Sequence, residues 1–267
     1  MTNPFDGIIF DIDGTVARGK RVLPGVLDTL TELRRRGIRY AFFTNDNSNT
    51  IGSWVKKLAG MGIDARPEEV MTSALIAAQA AAQLYAGKKI LAVGNAGLIE
   101  ALRARNLTLL DYDEAAQAEV VVMGKDPHFD QERLKIVCQT IWNGAEFMAT
   151  NYDPKVPTAH GFAPATGPMV KAVAYATGRE PLVTGKPSSW SGKMAIDILG
   201  VSPNRAAFIG DQLETDIKTG NEAGLTTILV LTGTATQADS EAASEDMQPD
   251  VVLPDVNYLI TWMDSES

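Results

Sequence analysis

Strand-like and helix-like segments alternate along nearly the whole chain, and this alternation restricts the fold more than any other feature. After an apolar run at residues 7–10, "LPGVLDTLTELRRRG" places Val26, Leu27, Leu30 and Leu33 at helical spacing. Pro24 suits the first turn, Arg34 to Arg36 the last, and Gly37 the cap beyond it. "IRYAFFTN" then reads as a strand and "SNTIGSWVKKLAGMG" as a helix. Near the other end, "SGKMAIDILG", "AAFIGD", "TDIKTGNEAG" and "TTILVLTG" repeat helix, strand, helix, strand, and "VVLP" with "VNYLITWM" closes the series. A chain of this pattern is α/β, with a doubly wound, Rossmann-like, mostly parallel sheet covered by helices on both faces.

The middle carries a separate series: "KKILAVG", "GLIEALRAR", "AEVVVMG", "FDQERLKIVCQTIWNG" and "EFMATN". It is enough for a second, smaller α/β layer inserted into the first. The expected division is a core over residues 1–82, an insert over 83–178, and the rest of the core over 179–267. The polar, acidic stretch at residues 234–250 reads as a solvated helix or loop.

Composition narrows the function classes. Of 267 residues, 33 are acidic and 24 are Lys or Arg, a net charge of −9 that speaks against general nucleic-acid binding through phosphates. No apolar run approaches the ~18 residues of a membrane span, and the first strand-like run begins by Gly7, too early for a leader. The single cysteine, Cys138, cannot form an intramolecular disulfide and fits a cytoplasmic setting. It lies with Leu134, Val137 and Ile141 in an amphipathic stretch and reads as a packed thiol. "AVGNAG" at residues 92–97 lacks the third glycine of a dinucleotide fingerprint, and His128 and His160 lack metal-ligand spacing.

The chemistry gathers at strand ends. "GIIFDIDGT" follows an apolar run with Asp11 and Asp13, expected on the loop after a strand that ends at Phe10. Three further loops offer Thr44 and Asn45, Lys186, and Asp211 with Asp216. In a parallel doubly wound sheet, loops at the same strand ends converge on one crevice. Two carboxylates ~4 Å apart repel by about 4 kcal/mol at an effective dielectric near 20, and three by on the order of 12 kcal/mol. A divalent cation plus one lysine balances three aspartates, and oxygen-only donors favour Mg²⁺ over zinc. Lysine, Mg²⁺ and a hydroxyl suit the stabilisation of a transferring phosphoryl group.

"DIDGT", a strand ending in "TN", "GKP" and "GDQLETD", in this order, resemble the four motifs of the haloacid dehalogenase superfamily of phosphatases. The insert is similar to the type-two cap of the NagD-like, para-nitrophenyl-phosphatase-like branch, as is "ATNYDPKVPTAHGFAPATGPMV" followed by "EPLVTGKPS". The resemblance implies that Asp11 is the nucleophile and forms an aspartyl-phosphate, and that Asp13 acts as general acid and then base. It implies that Thr44 and Lys186 hold phosphoryl oxygens. Mg²⁺ would bind the Asp11 side chain, the Asp13 main-chain carbonyl and Asp211, with Asp216 supporting from behind. Asn45, Asn151, Asp153 and His160 are candidate substrate contacts, Asn151 and Asp153 being equally suited to a turn before Pro154.

Gln212, Asp46 and Tyr152 depart from residues common in that branch, which bears on substrate preference. The expected partner is a small phosphorylated metabolite (a sugar, polyol or nucleotide phosphate), without nucleic acid or membrane, and a homo-oligomer is left open. Two other functions remain compatible: a phosphomutase on the same fold, and a non-catalytic phosphometabolite-binding module.

Overall fold

The first apolar run becomes β1 (Gly7–Asp11), and every residue of it is buried. The computed structural model describes residues 3–158 and 161–266. β1 runs through Asp11 rather than stopping at Phe10, because Asp11 lies level with Phe43 in the pairing with β4 (Arg39–Thr44). After β1, a two-stranded antiparallel hairpin joins β2 (Ala17–Arg18) to β3 (Arg21–Val22). It is too short to leave a hydrophobic period in the sequence.

β1 sits inside a six-stranded sheet that also contains β5 (Val70–Thr72), β13 (Ala206–Gly210), β14 (Thr226–Val230) and β15 (Val251–Leu253). The order is β15-β14-β13-β1-β4-β5. The β1–β4, β1–β13, β13–β14 and β14–β15 pairings are parallel. Parallel strands covered on both faces need apolar residues on both, which is why these runs are continuous rather than alternating. The chain leaves β1 first toward β4 and later returns to its other side at β13. That reversal is where such sheets open a crevice at their carboxyl ends. The helix Val26–Arg35 buries Val26, Leu30 and Leu33, whereas Leu27, expected on the same face, is 39% exposed.

A second unit comprises Asn45–Ser53 and Thr72–Gly185, and the first comprises Met1–Thr44, Trp54–Met71 and Lys186–Ser267. The second unit is built on β6 (Lys89–Val93), β7 (Thr108–Leu110), β8 (Val120–Met123), β9 (Glu146–Ala149) and β12 (Leu182–Val183), a parallel sheet in the order β12-β9-β8-β6-β7. β10 (Lys155–Thr158) and β11 (Gly161–Pro164) form an antiparallel pair within it. Leu91, Val121, Val137, Ile141, Phe147 and Val170 share its core with Cys138.

The units therefore divide earlier and later than residues 82 and 179. The helix Ser73–Leu84 belongs to the inserted unit, and its run of alanines is buried on almost every side, leaving no amphipathic face to reveal its partner. β12 pairs Leu182 with Met148 of the inserted sheet, although only two residues long. Residues 45–53 also belong to this unit. Buried Asn47 anchors them, donating its amide to Thr166 Oγ1 at 3.0 Å while its carbonyl oxygen accepts from the Lys125 amide at 2.6 Å.

Candidate active site

The carboxyl ends of β1, β4 and β13 carry the chemistry-bearing residues of the first unit. Asp11 ends β1 and Thr44 ends β4, and both are buried. Asp211 follows β13 directly, and Asp216 lies in the π-helical turn Leu213–Ile217. Lys186 opens the segment that leads into the helix Ser189–Leu199.

Lys186 ties these together. Its ammonium donates to Asp11 Oδ1 at 2.6 Å, to Asp216 Oδ1 at 2.6 Å and to the Phe43 carbonyl at 3.4 Å. Burial alone would drive the proton off this amine, but the facing carboxylates Asp11 and Asp216 overcome that and hold the charged form above its ordinary range. Asp216 is fully occupied: its second oxygen accepts the main-chain amides of Asp211 at 3.2 Å and Gln212 at 3.1 Å.

The other two carboxylates are each half satisfied. Asp211 Oδ2 accepts the Thr234 amide at 2.7 Å, and Asp211 Oδ1 is buried without a hydrogen-bond donor. Asp11 Oδ1 faces Lys186, and Asp11 Oδ2 is likewise buried without a donor. Buried carboxylate oxygens without partners are costly. Burial raises the Asp11 carboxyl well above the usual carboxylate range, with Asp216 and Asp211 adding to the rise and Lys186 opposing it. Burial and then Asp216 push Asp211 up to about 6, against the pull of Thr234 and Lys186.

Asp11, Asp211 and Asp216 bring carboxylate oxygens within 4.8 Å of one another. The residues fit a hard divalent cation. Two orphaned oxygens, at the ends of β1 and β13, supply donors of the type Mg²⁺ prefers, and three carboxylates around one lysine leave a net negative charge for it to balance. Asp216, with both oxygens already taken, fits a supporting place and not a ligand position.

Asp13 follows two residues after Asp11, half-buried, in a single bridge with Ala17. The loop closes through Gly14, whose φ of +104° lies in the left-handed region. A Cβ on Gly14 would stand 2.5 Å from Asp211 Oδ2, so only glycine lets the first loop lie against the fourth.

The inserted unit gathers the remaining expected residues, among themselves. The Asn45 amide donates to Asp153 Oδ1 at 3.0 Å, and the Asn45 carbonyl accepts from Asn151 Nδ2 and Ser73 Oγ, both at 2.6 Å. Asn151 is 1% exposed, and its own carbonyl oxygen accepts the Asp153 amide at 3.2 Å. With its amide and carbonyl both engaged by protein groups, Asn151 ties this segment together. Asp46 caps a turn, accepting from the amides of Ser48 and Asn49. Tyr152 hydrogen-bonds Glu180. His160 lies outside the described residues.

Sequence reasoning used four loops and missed the fifth. The turn after β14, "LTGT", supplies the Thr234 amide to Asp211. A Gly-Thr pair leaving a strand of the same sheet was the available signal.

Residues 8–108 match the family described as haloacid dehalogenase-like hydrolase, and residues 183–259 match a HAD-hydrolase-like family. An acid sugar phosphatase of Staphylococcus epidermidis is 32% identical over 260 residues, covering 97% of this chain and 98% of that one. A p-nitrophenyl phosphatase from Archaeoglobus fulgidus has a similar structure, with TM-score 0.88 and 30% identity over 97% of this chain and 99% of that one. So does a glycerol phosphate phosphatase from Mycobacterium tuberculosis in complex with magnesium, with TM-score 0.91 and 32% identity over 97% of this chain and 78% of that one.

Proposed function

Because the chain belongs to the haloacid dehalogenase-like hydrolases and is a phosphatase of that family, we propose that it hydrolyses small phosphomonoesters with Mg²⁺ through an aspartyl-phosphate on Asp11. The observation that carries this reading is the pair of buried, donor-less oxygens, Asp11 Oδ2 and Asp211 Oδ1, beside a lysine that grips the other oxygen of Asp11.

In the first half-reaction, an Asp11 oxygen attacks phosphorus, the bond from phosphorus to the ester oxygen breaks, and Asp13 protonates that departing oxygen. In the second, water attacks the phosphorylated Asp11 while Asp13 accepts its proton, releasing inorganic phosphate and restoring both carboxyl groups. Lys186 opposes protonation of Asp11 and orients it, and with Thr44 it holds phosphoryl oxygens. Asp11, Asp211 and the Asp13 carbonyl would hold Mg²⁺, which when bound offsets the negative charge of the phosphoryl group.

The similarity to acid sugar and glycerol phosphate phosphatases supports sugar and polyol phosphates as the substrate class. No helix among the described residues is long and apolar enough to cross a membrane. Phosphate release from para-nitrophenyl phosphate tests the reading: it should require Mg²⁺ and vanish in Asp11→Asn. Undiminished turnover in excess EDTA, or in that variant, would sink it.

A further inference from the structure

We propose that the turn Thr232–Gly233–Thr234, after β14, is a positioning element for the cation: it decides which oxygen of Asp211 faces the protein and which is left for the metal. This rests on the metal site proposed above and adds to it a fifth loop.

The Asp211 carboxylate is held on two sides. On one side, the Thr234 amide donates to Oδ2 at 2.7 Å, and the Ala235 amide fixes the main chain of the same residue by donating to the Asp211 carbonyl at 3.0 Å. A Cβ on Gly233 would fall 1.9 Å from Oδ2, so the turn reaches the carboxylate only because residue 233 has no side chain. On the other side stands Gly14, whose hypothetical Cβ is 2.5 Å from the same oxygen. The two sides are joined: Thr232 Oγ1 donates to the Gly14 carbonyl at 2.6 Å, and the Arg18 guanidinium donates to the Thr232 carbonyl.

The result is asymmetric. Oδ2 is enclosed by two glycines and paired with an amide, whereas Oδ1 is buried with no donor at all. A carboxylate free to rotate would satisfy either oxygen with the Thr234 amide and present the other at a range of angles. The clamp removes that freedom and leaves Oδ1 presented. Groups that orient a metal ligand in this way typically contribute 10–100-fold to metal affinity.

The test is Mn²⁺ binding to the full chain, followed by electron paramagnetic resonance of the free ion, with thermal unfolding in EDTA as a check on the fold. Gly233→Ala should weaken Mn²⁺ binding by about 10–100-fold, and turnover should recover as the cation is raised to saturation. Thr232→Val, which loosens Gly14, should weaken binding in the same direction, and it decides the matter alone if Gly233→Ala does not fold. Wild-type Mn²⁺ affinity in these variants, with affinity lost in Asp211→Asn, overturns the inference and leaves the metal site standing. Wild-type affinity in Asp211→Asn itself overturns the site, and the inference with it.

Discussion

The Lys186 ammonium lies 2.6 Å from Asp11 Oδ1, and both groups are buried. The same nitrogen is equally close to Asp216, so one cation serves two carboxylates, one ending β1 and one in the turn after β13. Removing one partner of a buried ion pair strands the other charge and typically costs about 3–5 kcal/mol. Lys186→Met should therefore destabilise the chain by an amount of that order, as read by urea unfolding in EDTA. It should also abolish most turnover, because an unpaired Asp11 takes up a proton and loses its nucleophilicity. Unchanged stability and activity together would mean that the pair is not held in solution.

The Asp211 carboxyl predicts a pH dependence. In the metal-free chain burial and then Asp216 push it up to about 6, from an unfolded value near 3.8. Between those values the folded state binds more protons than the unfolded state, so this group's contribution to stability is complete below the lower value and is lost as pH rises through the upper one. Mg²⁺ competes for the same carboxylate and releases the proton. The rise in melting temperature on adding Mg²⁺ should thus be larger at pH 7.5 than at pH 5. Equal rises at both values would detach metal binding from Asp211.

Asp13 should reveal itself through the leaving group. General acid help is typically worth ~10²–10⁴-fold, and it matters most when the departing oxygen is basic. Asp13→Asn should therefore slow hydrolysis of alkyl phosphates such as glycerol phosphate far more than that of para-nitrophenyl phosphate. Rapid-quench measurement of the phosphorylation step isolates the effect, and equal losses on both esters would count against Asp13 as the acid.

What could be read from the sequence, and what could not, has a physical pattern. The strands of the outer sheet were visible because a parallel strand buried on both faces must be continuously apolar, as in Ile8, Ile9 and Phe10. The carboxylates Asp11 and Asp211 of the candidate site stood out because an acidic residue that ends or directly follows such a run is conspicuous. The boundaries of the inserted unit were not, since the alanine-rich helix Ser73–Leu84 looks the same whichever sheet it covers, and β12 spans two residues. Asn151 was legible only in part: a polar residue before a turn suits a substrate contact and the turn itself equally. Its amide in fact closes onto the Asn45 carbonyl, a partner 106 positions away that no local pattern announces. The Thr234 amide was hidden for a related reason: the Gly-Thr pair marks a turn, but its residue types do not say which carboxylate a main-chain donor reaches.

Asn151 also allows a prediction that separates a tie from a substrate contact. Asn151 holds the main chain of Asn45, the residue directly after Thr44, and Asp153 holds the Asn45 side chain. Asn151→Ala leaves the Asn45 carbonyl with the Ser73 hydroxyl as its remaining described donor. Losing such a buried hydrogen bond costs about 1–3 kcal/mol. The segment after Thr44 should then loosen, and Thr44 should hold the phosphoryl group less well whatever the ester. The expected outcome is a fall in kcat/KM of similar size for sugar, polyol and aryl phosphates, with their ranking kept, and a matching loss in melting temperature. A residue that touched the leaving group would instead reorder the substrates and leave stability nearly unchanged. If Asn151→Ala reorders the panel, the tie is wrong and Asn151 returns to the substrate.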